Sequence, residues 1–298
     1  MTTGQPPVCD YEGSQYQATF WDSGGRAYED GAEAAALRAL LPRGGKLLLE
    51  IGAGAGRNTA RYLGFERIVL LDFSRTQLQQ AQQRLGRSSR YVYVAADVYR
   101  LPFVPGLFDA ATMIRVIHHM ADAPAALRQV RAALQPGATF ILEFANKRNL
   151  KSILRWMLGR QTWNPFDPQP IEFMPLNFDF HPRTMFAWLA RAGFDVQRIR
   201  TVSHLRLGLL KRLAPTPLLV GLDALLQPTG QFAQFSPSVF VRAQALGDTP
   251  RAPAGKFFCC PACSGDELNE RGDHLHCAQC GRRWPVRDGI YDFKEPLG

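Results

Sequence analysis

The segment Leu47-Leu48-Leu49-Glu50-Ile51-Gly52-Ala53-Gly54-Ala55-Gly56 constrains this chain more than any other. A short run that is apolar throughout, rather than alternating, belongs to a strand buried on both faces, and such strands occur in parallel sheets covered by helices. The glycines that follow mark a sharp turn from strand into helix at which a ligand can approach the backbone, because only small residues leave that space.

The same alternation repeats downstream. A helix over 28–41 ends at Pro42, a strand covers 46–51, and a second strand covers 67–72. A helix at 77–85, strands at 91–95 and 109–114, a helix at 123–134 and a strand at 139–144 follow. Residues 146–182, rich in Pro, Trp and Phe, break the rhythm as an insertion over the C-terminal edge of the sheet. A helix at 183–192, a strand at 194–201, a helical pair within 205–226 and a strand at 237–243 complete it. Strands alternating with helices imply right-handed crossovers, so the expected class is α/β: a Rossmann-like, seven-stranded, mainly parallel sheet with helices on both faces. The expected divisions are an N-terminal lead with a capping helix (1–45), the main domain (46–246), a Pro-containing linker (247–256) and a separate small unit (257–298).

Acidic residues close three successive strands. Glu50 stands two residues before the first glycine, and the spacing is G-x-G-x-G rather than the G-x-G-x-x-G that opens onto a pyrophosphate. A carboxylate beside such a loop suits a cationic ligand. Asp72 ends the second strand, where it can accept both hydroxyls of a ribose, with Phe73 next to it. Asp97 follows the third strand and can receive an adenine amino group while Val98 offers its backbone N–H.

With these elements stand Leu101-Pro102-Phe103, Phe108-Asp109-Ala110, His118-His119 and Leu134-Gln135-Pro136-Gly137. In this order the motifs resemble those of the class I S-adenosylmethionine (SAM)-dependent methyltransferases, in the branch that includes ubiquinone and menaquinone biosynthesis enzymes. The resemblance covers roughly the first half of the chain and departs from the family at Ala138, where a second glycine is common. It implies SAM as methyl donor, with Glu50, Gly52, Gly54, Gly56, Asp72, Phe73, Asp97 and Val98 as the binding residues. Tyr16, Trp21, Arg26 and Tyr28 of the lead either fold over the cofactor or pack. Departure from a sulfonium needs no acid, so alignment and exclusion of water carry most of the catalysis. His119, at the end of the fourth strand, is the candidate base, with lining or packing as its other reading.

Ile114-Arg115-Val116-Ile117-His118 replaces the Asn-Pro-Pro-aromatic clamp of amino-group methyltransferases, and this stretch holds no cysteine for a thiolate adduct. Transfer to an O or C atom of a small or lipid-like acceptor is therefore expected. Trp156, Trp163, Phe166, Phe173 and Phe178 either roof an apolar acceptor or form packed core. RNA or protein methylation, and a non-catalytic interaction protein, stay open as alternatives. The formal charge of +9 does not favour nucleic acid as partner, since the arginines are spread without a basic block.

Five of six cysteines lie between Cys259 and Cys280. Cys260-x-x-Cys263 and Cys277-x-x-Cys280, thirteen residues apart, make two knuckles that close a tetrahedral shell, so a structural Zn2+ is expected. Cys259, His274 and His276 are substitute ligands. The unit resembles the zinc-ribbon activator subunits that bind tRNA and release-factor methyltransferases. The opening residues lack an export pattern and no apolar run is uninterrupted enough to span a bilayer, so a cytoplasmic location is expected.

Overall fold

A computed structural model describes residues 6–15, 19, 21, 23 and 25–298. In chain order the elements are α1 (Ala27–Leu40), β1 (Gly45–Ile51), β2 (Phe65–Asp72), α2 (Arg75–Leu85), β3 (Tyr91–Ala95), β4 (Phe108–Met113) and α3 (Ala123–Ala133). Next come β5 (Leu134–Ala145), α4 (Leu150–Met157), β6 (Ile171–Met174), β7 (Asn177–Asp179), α5 (Pro182–Arg191) and β8 (Phe194–Val202). The chain ends with α6 (Gly208–Leu213), α7 (Thr216–Leu226), β9 (Ser238–Ala245), β10 (Leu268–Arg271), β11 (His274–Cys277), β12 (Arg283–Arg287) and β13 (Ile290–Asp292).

β1 lies centrally, parallel to β2 on one side and to β4 on the other. Leu48, Leu49 and Ile51 are buried, as a strand covered on both faces requires. The expected seven strands run β3-β2-β1-β4-β5-β9-β8, all parallel except β9. β5 begins at Leu134 and carries Pro136-Gly137 within it, earlier than the expected start at 139. One expectation fails outright. The glycine loop does not open into an α-helix, because only residues 52–64 separate β1 from β2, and they hold a single 3-10 turn at Thr59–Arg61. Gly64 turns the chain back against Arg43 and Gly44, so closely that a Cβ there would meet the Arg43 carbonyl oxygen at 2.0 Å.

The C-terminal unit is not set apart from the main domain. β13 pairs in parallel with β3, and the ladder β10-β11-β12-β13 extends the sheet to eleven strands. Its apolar residues join the main core: Leu275, Trp284 and Phe293 share one buried cluster with Phe103 and Phe108. Phe258 stacks on Phe103 at 5.8 Å between ring centroids, and Phe293 N–H donates to the Ala95 carbonyl at 2.7 Å. The Pro-containing linker is seated too, with Ala252 N–H donating to the Gly106 carbonyl at 3.1 Å. An unpaired β3 edge would offer free backbone groups, and β13 satisfies them.

Candidate functional site

The central cavity opens at the C-terminal ends of β1, β2 and β4, where connections leave to opposite sides of β1 and ligands of open α/β sheets collect. Glu50, Gly52, Gly54, Asp72, Phe73, Val98 and His119 all line it.

Two glycines of the loop face different demands. Gly54 has φ +54°, and a Cβ there would meet nothing nearer than Gln77 Oε1 at 3.8 Å, so its open side is available to a ligand. Gly56 does not line the cavity; a Cβ on it would press into Leu85 at 2.8 Å, so it serves packing against α2.

Glu50 is buried and accepts a 2.5 Å hydrogen bond from Thr59 Oγ1. Burial raises its pKa to about 7, against the opposing pull of Thr59, Tyr62, Arg57 and Arg61. Asp72 accepts from Gly54 N–H at 2.8 Å and Ser74 N–H at 2.9 Å, one on each carboxylate oxygen. Burial raises its pKa despite those donors. The second lone pair of each oxygen is uncommitted to these bonds. Asp97 stands outside the cavity: its neighbours Ala96 and Val98 line it, while its own carboxylate caps the 3-10 turn Val98–Arg100 by accepting from Tyr99 N–H at 2.9 Å.

His119 Nδ1 lies 3.0 Å from the Leu176 carbonyl oxygen, which only accepts, so Nδ1 carries the proton. Nε2 is then the lone-pair nitrogen, and it accepts from Tyr11 Oη at 3.2 Å. Burial lowers the His119 pKa, which keeps the ring neutral at pH 7. His118 packs on it with centroids 4.1 Å apart and ring planes tilted by 46°, but does not line the cavity.

Trp21, named above, is joined at the wall by residues that sequence reasoning did not single out. Trp21 lies under the Arg57 guanidinium at 3.5 Å from its ring centroid, with Arg115 at 5.0 Å. Both arginines grip buried Glu33 from α1, at 2.7 Å and 2.5 Å. Burial alone would raise the Glu33 pKa, but Arg115 and Arg57 outweigh it and hold it low. Arg115 occupies a left-handed backbone position, φ 59°, with its N–H donating to Glu143 at 2.9 Å. No spacing pattern announces a trio drawn from three separate stretches; the unusual φ is its one local mark. Cys9, also from the lead, reaches the wall, but burial raises its pKa and so disfavours a thiolate. Tyr28 packs instead: its hydroxyl donates to Asp223 at 2.6 Å and it does not line the cavity. Arg26 pairs with Glu29 at 3.8 Å, and Tyr16 lies outside the described residues.

The four knuckle cysteines converge, with their sulfurs within 4.8 Å of one another. The pairs Cys260–Cys280 and Cys263–Cys277 stand 3.7 Å and 3.6 Å apart. A tetrahedral ion with Zn–S bonds of about 2.3 Å requires sulfur separations of about 3.8 Å, so the donor set fits. Ser264 and Gly281 take left-handed conformations just after the knuckles. Cys259 turns away, its sulfur 3.1 Å from the Phe103 carbonyl oxygen, and neither histidine belongs to the cluster. Among the described residues no helix is long and apolar enough to cross a membrane.

Comparison with known proteins agrees with this architecture. The methyltransferase-domain family matches residues 49–142. An O-methyltransferase, cnsE of Penicillium expansum, is 31% identical over 108 residues, 35% of this chain, which spans 39% of that enzyme's length. The ubiquinone/menaquinone biosynthesis C-methyltransferase UbiE of Cereibacter sphaeroides is 30% identical over 183 residues, 55% of this chain and 72% of that enzyme. Among solved structures, a chain from the complex between the Haloferax volcanii Trm112 methyltransferase activator and a methyltransferase superposes with TM-score 0.55 at 16% identity, covering 78% of this chain and 96% of that one. On its similarity in sequence to the methyltransferase-domain family and to a C-methyltransferase of which it covers 72%, with a cavity at the switch point of its sheet, the chain belongs to the class I SAM-dependent methyltransferases.

Proposed function

We propose that the cavity binds SAM through Glu50, Asp72, Phe73, Val98 and the Gly52–Gly54 turn, and that the enzyme methylates an O or C atom of a small, lipid-like acceptor. The observation that carries this reading is the meeting of Glu50, Asp72 and the neutral His119 at one cavity wall. SAM supplies an electrophilic methyl group on a sulfonium whose departure needs no proton. Glu50 offers its carboxylate to a cationic group, and Asp72 has lone pairs free for ribose hydroxyls. Arg57 and Arg115 suit the cofactor's carboxylate, since Glu33 holds both guanidiniums at the wall. His119 Nε2 takes the acceptor's proton once Tyr11 yields its place, and Leu176 fixes the ring in the tautomer that can do so. The four thiolates would hold a Zn2+ with a closed shell, which assigns the metal to structure.

The named activities of the relatives, O- and C-methylation, support this acceptor class over RNA or protein. Labelled SAM incubated with a size-fractionated cell extract and a panel of phenols and quinols tests it. Label is expected in the organic-soluble small-molecule fraction, and label confined to RNA or protein refutes the reading. In the same assay His119→Asn is expected to lower turnover on the order of 100-fold with SAM affinity unchanged.

The raised Glu50 pKa gives a pH dependence with a definite sign. Free protein at pH 6 keeps Glu50 mostly protonated, since its pKa is about 7. A cation favours the carboxylate, so binding releases a proton and SAM affinity rises as pH increases through 7. For stability the sign is opposite: a carboxyl raised on folding contributes below its ordinary pKa, and that contribution is lost as pH rises through 7. SAM should therefore raise Tm more at pH 8 than at pH 6. Glu50→Gln should bind weakly with that pH dependence gone, and a pH-independent wild type would contradict the role given to Glu50.

A further inference from the structure

The exposed apolar surface of this protein is concentrated in two segments. Of the large hydrophobic side chains exposed among the described residues, all but Leu63 and Leu246 lie within 150–174 or 207–235. They are arranged, not scattered. On α4 the exposed Leu150, Leu154 and Met157, with Leu158 just beyond, recur at i, i+4, i+7 and i+8. On α7 the exposed Leu218, Leu222, Leu225 and Leu226 repeat that spacing, while Leu219 and Asp223 turn inward. Such spacing is the stripe by which a helix buries itself against something apolar, and here both stripes face outward.

The fold brings the two segments together. One follows the C-terminal end of β5 and the other that of β8, and both strands run parallel to β1, so both inserts rise from the sheet edge that bears the cavity. They touch: Leu150 N–H donates to the Phe235 carbonyl at 2.8 Å, and the Arg148 guanidinium lies 5.4 Å from the Phe235 ring centroid. Each also borders the site. Leu176, in the hairpin after α4, holds His119, and Leu219 of α7 shares a buried cluster with Ile114 of the cavity wall.

Charge decides what covers this face. Lys151, Arg155 and Arg160 follow one another along the α4 segment with no acid between Leu150 and Trp163. Arg212 is exposed on α6, and the single acid between Leu205 and Phe235 is the buried Asp223. Between α4 and α5 lie three acids, Asp167, Glu172 and Asp179, of which Glu172 is engaged by Leu176 N–H at 2.8 Å. A second copy of this chain would set these cations against their own kind, which opposes self-association. An anionic bilayer answers both features at once, apolar stripes entering the acyl boundary and cations meeting lipid headgroups.

We propose that α4, α6 and α7 form one docking face for an anionic phospholipid surface, which sets the mouth of the methyl-transfer cavity against the bilayer. The inference deepens the reading of a lipid-like acceptor, since such a molecule would enter from the membrane without crossing water.

The test uses the full chain and vesicles without any acceptor, so that failure of docking leaves the methyl-transfer reading standing. The protein is expected to co-sediment with phosphatidylcholine vesicles containing phosphatidylglycerol, less with phosphatidylcholine alone, and less as salt rises. Paired substitutions Leu154→Glu with Leu158→Glu, or Leu222→Glu with Leu225→Glu, should each lower the partition coefficient at least tenfold. Lys151→Ala with Arg155→Ala should lower it about fivefold per cation removed. Calorimetry should find SAM affinity unchanged in these variants, showing that they are folded. Absence of co-sedimentation with the anionic vesicles at low salt overturns the proposal. So does light scattering that finds a wild-type dimer converted to monomer by the leucine substitutions.

Discussion

Asp72→Ala is expected to weaken SAM binding by two orders of magnitude or more without unfolding the protein. Hydrogen bonds to a charged group contribute about 1.5–3 kcal/mol each, so losing two to a ribose corresponds to at least a hundredfold in Kd. A second loss compounds the first. The same carboxylate accepts from Gly54 N–H and Ser74 N–H, so its removal frees the glycine turn from the start of α2. Asp72→Asn should also bind poorly, because an amide presents a donor where one of those N–H groups already donates. Isothermal titration checks both variants. An Asp72→Ala protein that binds SAM within threefold of wild type would remove the ribose assignment.

Stripping metal from the four-cysteine cluster is expected to reach far beyond the C-terminal segment. A free-standing ribbon would melt alone and leave the main domain's transition untouched. Here Phe258, Trp284 and Phe293 pack in or against the main core, and β13 covers β3. A fully buried aromatic contributes about 1.5–3 kcal/mol, so release of Trp284 and Phe293 together with the half-buried Phe258 costs on the order of 5 kcal/mol. For a domain of this size that is on the order of 10 °C in Tm. Calorimetry after chelation, or on Cys277→Ser, should record the main transition moved down by about that amount; an unmoved transition would refute the shared core.

SAM affinity should fall as well if the cavity holds it, because the segment after β13 reaches the cavity wall at Phe73. Lys294 Nζ lies 5.1 Å from the Phe73 ring centroid and 3.6 Å from Glu12. Glu12 in turn accepts from Arg75 N–H at 2.8 Å and Thr76 N–H at 3.1 Å at the start of α2. The N-terminal lead and the C-terminus are thus clasped over the same helix end. Titration of the chelated protein at a temperature where it stays folded measures this coupling.

The strands were legible because a parallel sheet buries both faces of each one, which leaves contiguous apolar runs closed by glycine or acid. That Glu50, Asp72 and Phe73 line one cavity was legible for the same reason: a strand end in such a sheet is a fixed place in space. The convergence of the knuckle cysteines was legible because C-x-x-C spacing sets two sulfurs side by side whatever surrounds them. Asp97 shows what a strand end leaves open: its carboxylate satisfies the local backbone by capping the turn that follows, which position in the sequence does not announce. The helix expected after the glycine loop failed because the short return to β2 leaves no room for one.

Tertiary structure alone decided the remainder. Arg57, Arg115 and Glu33 come from separate stretches and meet only when α1 packs beside the Thr59–Arg61 turn and brings Glu33 to the loops after β1 and β4. The pairing of β13 with β3 joins residues about two hundred positions apart through three-residue contacts of backbone N–H and C=O groups, which every sequence carries alike. Local pattern fixes which residues face inward, because burial depends on side-chain type. Which elements become neighbours depends on complementary edges and faces across the whole chain, and no window of sequence contains that.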